Sequence, residues 1–121
     1  MTNLVLVTGS RGWTDGRRIF ERLSQEPDNT TIIEGGAEGA DKLCGYAARL
    51  LGFRVITVRA DWSTGKSAGP IRNVKMLNMK PCKVIAFCLN QSRGTMDCVR
   101  GALSRSIPTE VIDRQGPRLE L

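Results

Sequence analysis

Apolar residues occur along this chain in two alternating patterns. Five short runs rich in Val, Ile, Leu and Thr are typical of buried β-strands, and they are Leu4–Thr8, Thr30–Glu34, Phe53–Val58, Lys83–Leu89 and Thr109–Ile112. The intervening segments place apolar residues at helical spacing, which predicts four helices: Thr14–Gln25, a helix from about Asp41 to Leu51, Pro70–Met79 and Thr95–Ser106. Thr14 and Thr95 are expected to cap the first and fourth helices, and Gly52 to end the second.

Strands that alternate with helices pair in parallel through right-handed crossovers. We therefore predict an α/β fold, a three-layer Rossmann-like parallel sheet of about five strands in the order 3-2-1-4-5. Residues 1–113 are expected to form this one domain, and residues 114–121 a flexible tail. In that strand order the turns after strands one, two and four meet at the carboxyl edge of the sheet, where such folds bind ligands.

Composition narrows the range of functions. The chain has 121 residues, a formal net charge of +6 and no histidine. The charge favours anionic partners, but the basic residues are spread out and six aromatic residues (two Trp, one Tyr and three Phe) offer little stacking surface, so nucleic acid is a less favoured partner. Without histidine or CxxC spacing we expect no metal and no other cofactor, and four buried, reduced cysteines. No apolar run suits a membrane span or a signal peptide, so we expect a cytoplasmic protein without a membrane partner.

Glycines mark the turns after the first two strands as candidate ligand sites. Gly9-Ser10-Arg11-Gly12 follows strand one, where backbone amides, Ser10 and Arg11 can receive an anion. Backbone geometry alone explains such glycines equally well. After strand two, Gly35-Gly36-Ala37-Glu38-Gly39-Ala40-Asp41 lets the backbone approach a ligand closely, and Asp41 can accept hydrogen bonds from a ribose. The alternative for Asp41 is that it complements the dipole of helix two.

The segment Ala60–Ser67 has a relaxed similarity to a phosphate-binding loop. We reject that motif because Gly69-Pro70 interrupts the helix that must follow such a loop, and strand four has no acidic residue for magnesium. Lys66 is retained as a ligand contact on a loop that is expected to be mobile.

Two further pairs of positions belong to the predicted site. Arg72 and Asn73 lie in the first turn of helix three and are expected to face the same crevice, with solvent exposure as the alternative. Ser92-Arg93-Gly94-Thr95 opens helix four, and its amides together with the side chains of Ser92 and Thr95 suit a phosphate. Simple helix capping is the rival explanation.

Taken together, these segments resemble a known family. The set in chain order is Gly9-Ser10-Arg11, Gly35-Gly36-Ala37-x-Gly39-Ala40-Asp41, Ser67-Ala68-Gly69-Pro70-x-Arg72-Asn73-x-x-Met76 and Gly94-Thr95. It resembles the YspA-like, cpYpsA-related branch of the SLOG superfamily, which also includes the Lonely Guy phosphoribohydrolases and the DNA-processing protein A family. The resemblance covers nearly the whole chain and implies a Rossmann-like domain that senses or processes a nucleotide-derived ligand.

The resemblance leaves three functions open. The one we favour is binding of a nucleotide, cyclic nucleotide or ADP-ribose-like signal, by a sensor or by a protein that sequesters the signal in conflicts between phages and bacteria. The second is hydrolysis of a nucleotide N-glycosidic bond with Asp97 or Asp41 as the catalytic carboxylate, although Cys98 stands where the Lonely Guy glutamate would be. The third is binding of single-stranded DNA, which the positive charge also favours.

The second and third helices carry more apolar residues than packing on a sheet requires. These are Leu43, Cys44, Tyr46, Ala47, Ala48, Leu50 and Leu51 in the second helix, and Ile71, Val74, Met76, Leu77 and Met79 in the third. We therefore expect a homo-oligomer, either a dimer or a dimer of dimers, unless both helices are simply well buried.

Overall fold

The computed structural model describes residues 1–113. They form a five-stranded parallel sheet in the order β3-β2-β1-β4-β5, so the predicted fold class and strand order are confirmed. The strands are β1 (Asn3–Gly9), β2 (Thr30–Glu34), β3 (Arg54–Thr57), β4 (Lys83–Phe87) and β5 (Thr109–Ile112). The helices are α1 (Gly16–Leu23), α2 (Ala40–Leu50), α3 (Ala68–Asn78) and α4 (Arg93–Ser104), with one short 3₁₀ turn at Trp62–Thr64. The predicted tail, residues 114–121, lies outside the described part of the chain.

Alternate residues of the central strands build a core on each face of the sheet. Val5 and Val7 of β1 point to the face covered by α1 and α2, where Trp13 packs edge-to-face on Phe87 with ring centroids 5.4 Å apart. Leu6 points to the opposite face and packs with Met76 and other residues of α3 and α4. Because β1 is buried on both faces, its sequence is a continuous apolar run, as parallel strands require.

The third helix begins earlier than predicted: α3 starts at Ala68, directly after Ser67, and contains Gly69-Pro70 in its first turn. The expectation that Gly69-Pro70 interrupts this helix was therefore wrong, and the phosphate-binding loop is rejected only because β4 has no acidic residue.

Two helix N-caps also differ from the prediction because a nearby residue takes the capping position. The N-cap of α1 is Asp15, whose carboxylate accepts from the backbone amide of Arg18 at 3.1 Å, so the choice of Thr14 was wrong. The N-cap of α4 is Ser92, which places Thr95 inside the first turn. Gly52 follows the last turn of α2 with φ +78°, as predicted for a residue that ends a helix.

The cysteines and the apolar residues of the helices differ in their exposure to solvent. Cys44, Cys88 and Cys98 are buried, whereas Cys82 is exposed, which corrects the expectation of four buried thiols. Part of the apolar excess on the helices faces outward, because Tyr46, Leu50, Ile71 and Val74 are exposed, while Met76 and Leu77 belong to the core. The homo-oligomer stays a prediction. No helix within residues 1–113 is long and apolar enough to cross a membrane.

At the amino edge of the sheet, one buried carboxylate gathers the neighbouring cations. The Glu26 side chain is 3% exposed and lies 2.8 Å from Arg22 and 2.9 Å from Lys83. Burial by itself raises the pKa of Glu26, but hydrogen bonds from Lys83, Asn3 and Arg22 outweigh it and hold this pKa below its usual range. Arg22 and Lys83 are therefore paired with a carboxylate within the protein.

The close approach of β1 to its neighbours requires a glycine at position 9. A Cβ there would collide with the Ala40 side chain and the Phe87 carbonyl, whereas a Cβ at Gly94 would meet nothing within 4 Å. We expect Gly9→Ala to lower the free energy of unfolding by about 1–3 kcal/mol through overpacking. Gly94→Ala is the matched control and is expected to leave it unchanged or slightly raised. Urea unfolding of the three proteins measures this, and equal midpoints for both variants would contradict it.

Candidate functional site

The segments that follow β1, β2, β3 and β4 converge at the carboxyl edge of the sheet around a cleft of about 850 Å³. This volume is within the range of small-molecule sites, about 300–1,000 Å³. The cleft is lined by the β1–α1 loop, by Ala37 and Asp41, by Trp62 and Lys66, by the start of α3, and by the β4–α4 loop with the first turns of α4. The site thus lies where the strand order predicts it.

Hydroxyl groups tie the first loop to the loop after β4. The Ser10 hydroxyl lies 2.8 Å from that of Ser92, which in turn donates to Thr95 Oγ1 at 2.7 Å. Ser10 Oγ also accepts from the backbone amide of Leu89 at 2.7 Å. Although Ser92 is the N-cap of α4, its side chain makes no capping bond, so it does not occupy the amides of the first helical turn. The positive end of the α4 dipole therefore faces the cleft with its amides available.

Asp41 holds the loop after β2. Its Oδ2 accepts from the amides of Gly35 at 3.1 Å and Ala37 at 3.2 Å, and its side chain is almost fully buried. Burial, together with the nearby charge of Glu34, raises the pKa of Asp41 to about 6, although the Ala37 amide and Arg72 act in the opposite direction. Asp41 therefore shapes the loop, while the ribose contact expected for it remains untested.

A chain of hydrogen bonds crosses the cleft from α3 to α4. Arg72 donates from Nη1 to the Gly35 carbonyl at 2.9 Å and from Nε to Asn73 Oδ1 at 3.0 Å. The Asn73 amide then donates to Asp97 Oδ2 at 3.0 Å and to the Gly94 carbonyl at 3.3 Å. Asn73 is buried, so it fixes the guanidinium and the carboxylate relative to each other.

Cys98 stands where the Lonely Guy glutamate would be, and Asp97 precedes it by one residue. The two side chains have different surroundings. Asp97 lines the cleft and is partly exposed, whereas Cys98 is fully buried against the core. Burial raises the pKa of the Cys98 thiol to about 12, so this thiol is not a nucleophile at neutral pH. The carboxylate available to a ligand on α4 is that of Asp97.

Most of the predicted site residues are brought together. Those that line the cleft are Gly9, Ser10, Arg11, Ala37, Asp41, Lys66, Arg72, Asn73, Ser92, Gly94, Thr95 and Asp97. Gly35 and Gly36 line a smaller cavity beside it. Gly39 lines neither cavity; with φ +73°, it packs against the backbone of Ser10 and Arg11, where a Cβ would not fit. Its role in the structure is close packing of two loops.

Sequence reasoning missed several side chains of the cleft, among them Arg93, Arg100 and Trp62. Arg93 and Arg100 are spaced four and three residues from Asp97, so helical periodicity alone places them on its face of α4. Trp62 lies in the loop that was expected to be mobile, and its ring sits 5.2 Å from the Arg11 guanidinium. Nothing in the local sequence indicates that pairing. Within residues 1–113 there is no group of three or more Cys, Asp or Glu side chains that could hold a metal ion.

The raised pKa of Asp41 makes stability depend on pH. A carboxyl with a pKa of about 6 when folded and 3.8 when unfolded binds its proton more tightly in the folded state. Its stabilising contribution is therefore complete below pH 3.8 and is lost as the pH rises through 6. Relative to Asp41→Asn, which cannot ionise, the wild-type protein should lose about 3 kcal/mol of unfolding free energy over this range.

Urea unfolding at a series of pH values, from about 4 to about 7.5, measures this difference. Asp28→Asn is the control, because Asp28 is exposed and its difference from wild type should stay near zero. A difference between wild type and Asp41→Asn that does not change with pH would show that Asp41 titrates normally.

Comparison with known proteins places this chain in a family. The sequence model described as the YspA, cpYpsA-related SLOG family matches residues 4–65. A "Gene 61 protein" of Mycobacterium phage D29 is 38% identical over 114 residues, covering 86% of this chain and 91% of that protein.

A solved structure shares the fold. The X-ray structure of DNA processing protein A from Streptococcus pneumoniae superposes with a TM-score of 0.59 at 17% identity. The match covers 92% of this chain and 58% of that one, so this chain spans a little over half of the longer protein. Since the family model covers the first half of the fold, including the β1–α1 and β2–α2 loops of the cleft, the chain belongs to the YspA, cpYpsA-related SLOG family.

Proposed function

We propose that this protein binds a nucleotide-derived small molecule in the cleft, as a sensor or as a sequestering protein. One observation carries the proposal: five cationic side chains line the cleft, and none makes an ion pair within 4.0 Å inside the described residues 1–113. They are Arg11, Lys66, Arg72, Arg93 and Arg100. Unpaired cations that converge on one cavity favour an anionic ligand.

The start of α4 supports a phosphate in particular. Its first-turn amides are not capped by Ser92, and the hydroxyls of Ser10, Ser92 and Thr95 lie within one hydrogen-bonded chain beside them. Amides at a helix start, hydroxyl groups and arginines together are the usual ligands of a phosphate. A phosphate bound there would also lie near Arg93, which begins the helix.

Trp62 supports a base or sugar as a second part of the ligand. Its ring is about half exposed and Arg11 stacks on it, so one face of the indole is already held by a cation. Aromatic rings bind nucleobases by stacking, which is worth about 1–3 kcal/mol per base. The cleft therefore offers an aromatic surface for the base in addition to the groups that suit a phosphate.

Family and relatives are consistent with this role. The chain belongs to a SLOG family, and a relative is encoded by a mycobacteriophage, which fits a protein that withholds a nucleotide signal during infection. The likeness to a DNA processing protein extends to the fold, and it keeps single-stranded DNA as an alternative ligand to be tested as a competitor.

Arg72→Ala is expected to weaken binding of a nucleoside phosphate by about 1.5–3 kcal/mol, because a charge-assisted contact is lost. Calorimetry against mononucleotides, cyclic nucleotides, dinucleotides and ADP-ribose measures it. Arg17→Ala is the matched control, since Arg17 is highly exposed on α1 and lines neither cavity. If no compound in the panel binds the wild-type protein, or if both variants bind alike, the proposal fails.

Hydrolysis of an N-glycosidic bond is a second candidate, favoured by the placement of Asp97. Its carboxylate is partly exposed in the cleft, and the buried Asn73 amide fixes its orientation. In such a reaction water adds across the bond: the sugar carbon gains a hydroxyl group, and the base leaves with a proton. Asp97 would accept the proton of the attacking water or stabilise the oxocarbenium ion.

If the protein is a hydrolase, incubation with nucleoside monophosphates will release free base and ribose phosphate. Asp97→Asn keeps the size of the side chain and is expected to reduce that release at least 100-fold, on the order of a lost general base. Chromatography of the products measures it, with Arg17→Ala as the control. Binding without release in the wild-type protein would leave the first proposal standing and remove this one.

A further inference from the structure

A second cavity of about 260 Å³ adjoins the cleft. The two cavities share part of their walls, because both are lined by Arg11, Ala37, Trp62 and Arg72. We call the smaller cavity the Arg59 pocket. Arg59 follows β3, and it lines this cavity but not the cleft. A ligand in the cleft therefore has a neighbouring space into which it can extend.

The double glycine after β2 makes room for two arginines. Arg72 donates to the Gly35 carbonyl at 2.9 Å, and a Cβ at residue 35 would collide with its guanidinium. Gly36 has φ +71°, and a Cβ there would lie 2.9 Å from Arg59 Nη1, which makes a long contact of 3.5 Å with the Gly36 carbonyl. Two consecutive glycines thus let two guanidinium groups rest on the backbone of one turn.

The charge in the Arg59 pocket is only partly compensated within residues 1–113, because the Asp41 carboxylate acts on Arg72 without forming a close ion pair with it. None of the three arginines Arg59, Arg11 and Arg72 makes an ion pair within 4.0 Å among residues 1–113. The pocket contains one carboxylate, Glu38, which is exposed and pairs with Lys42 instead. The nearby Glu34 is buried and accepts from the Gly36 amide at 2.9 Å. Arg59 and Arg11 thus have no ion-pair partner within the described residues, and guanidinium groups of this kind favour an anion.

We propose that the Arg59 pocket is a second anion subsite, and that the ligand is a nucleotide carrying two separate phosphate groups. One phosphate lies in the cleft at the start of α4, and the second lies between Arg59 and Arg72. This proposal rests on nucleotide binding in the cleft. In this proposal, Gly35 and Gly36 make room for the side chains of Arg72 and Arg59. This role differs from the direct contact between their backbone and the ligand that the sequence predicted.

The test compares a ligand with one phosphate and a ligand with two. AMP and the 5′-phosphorylated diadenylate pApA are titrated into the wild-type protein and into Arg59→Ala by calorimetry. The wild-type protein is expected to bind pApA at least about tenfold more tightly than AMP, and Arg59→Ala to lose that advantage while its affinity for AMP is unchanged. Arg54→Ala is the matched control, because Arg54 is exposed on β3 and lines neither cavity.

The outcomes separate this inference from the proposed function. If AMP binds but pApA binds no more tightly, or if Arg59→Ala weakens both equally, the second subsite is wrong and nucleotide binding stands. If neither compound binds, both proposals fail. If a single-stranded DNA oligomer binds more tightly than pApA and loses affinity in Arg59→Ala, the occupant is nucleic acid, and the small-molecule subsite is overturned.

Discussion

Ser10 joins three of the loops that build the cleft. Its carbonyl accepts from the amides of Trp13 and Ala40, both at 3.1 Å, which ties the first loop to the start of α2. Its own amide donates to the Phe87 carbonyl at 2.9 Å, and its hydroxyl accepts from Leu89 and pairs with Ser92. Parallel strands bring these loops to one edge, but Ser10 fixes the distance between them.

Arg22 and Lys83 at the amino edge of the sheet form ion pairs, whereas the cations of the cleft at the carboxyl edge do not within the described residues. At the amino edge, Glu26 and Glu110 neutralise Arg22 and Lys83 at 2.6–3.2 Å. At the carboxyl edge, the cations that line the cleft have no ion-pair partner within residues 1–113. Leaving like charges close together costs folding free energy, and an anionic ligand would recover it on binding. Five such cations around one cleft give this site a positive potential, although the basic residues are dispersed along the sequence.

The strand order and most cleft residues could be predicted because they depend on periodicity and on glycine positions. Helix starts at Thr14 and Thr95 were misplaced because Asp15 and Ser92, equally suited to capping by type, stand close beside them. Trp62 was missed since it stacks with Arg11, which is distant from it in the sequence. The arginines that contact Gly35 and Gly36 come from α3 and from the segment that follows β3, and such contacts arise only from the tertiary fold.

The central claim is that the loops after β1 and β4 hold one nucleotide ligand together. Titration of ¹⁵N-labelled protein with a binding nucleotide, followed by amide chemical shifts, tests it most directly. The account predicts saturable shifts in Ser10–Gly12 and in Ser92–Thr95 with a single dissociation constant, and none around Glu26 at the opposite edge. Shifts confined to the amino edge, or shifts of the two loops at different ligand concentrations, would contradict it.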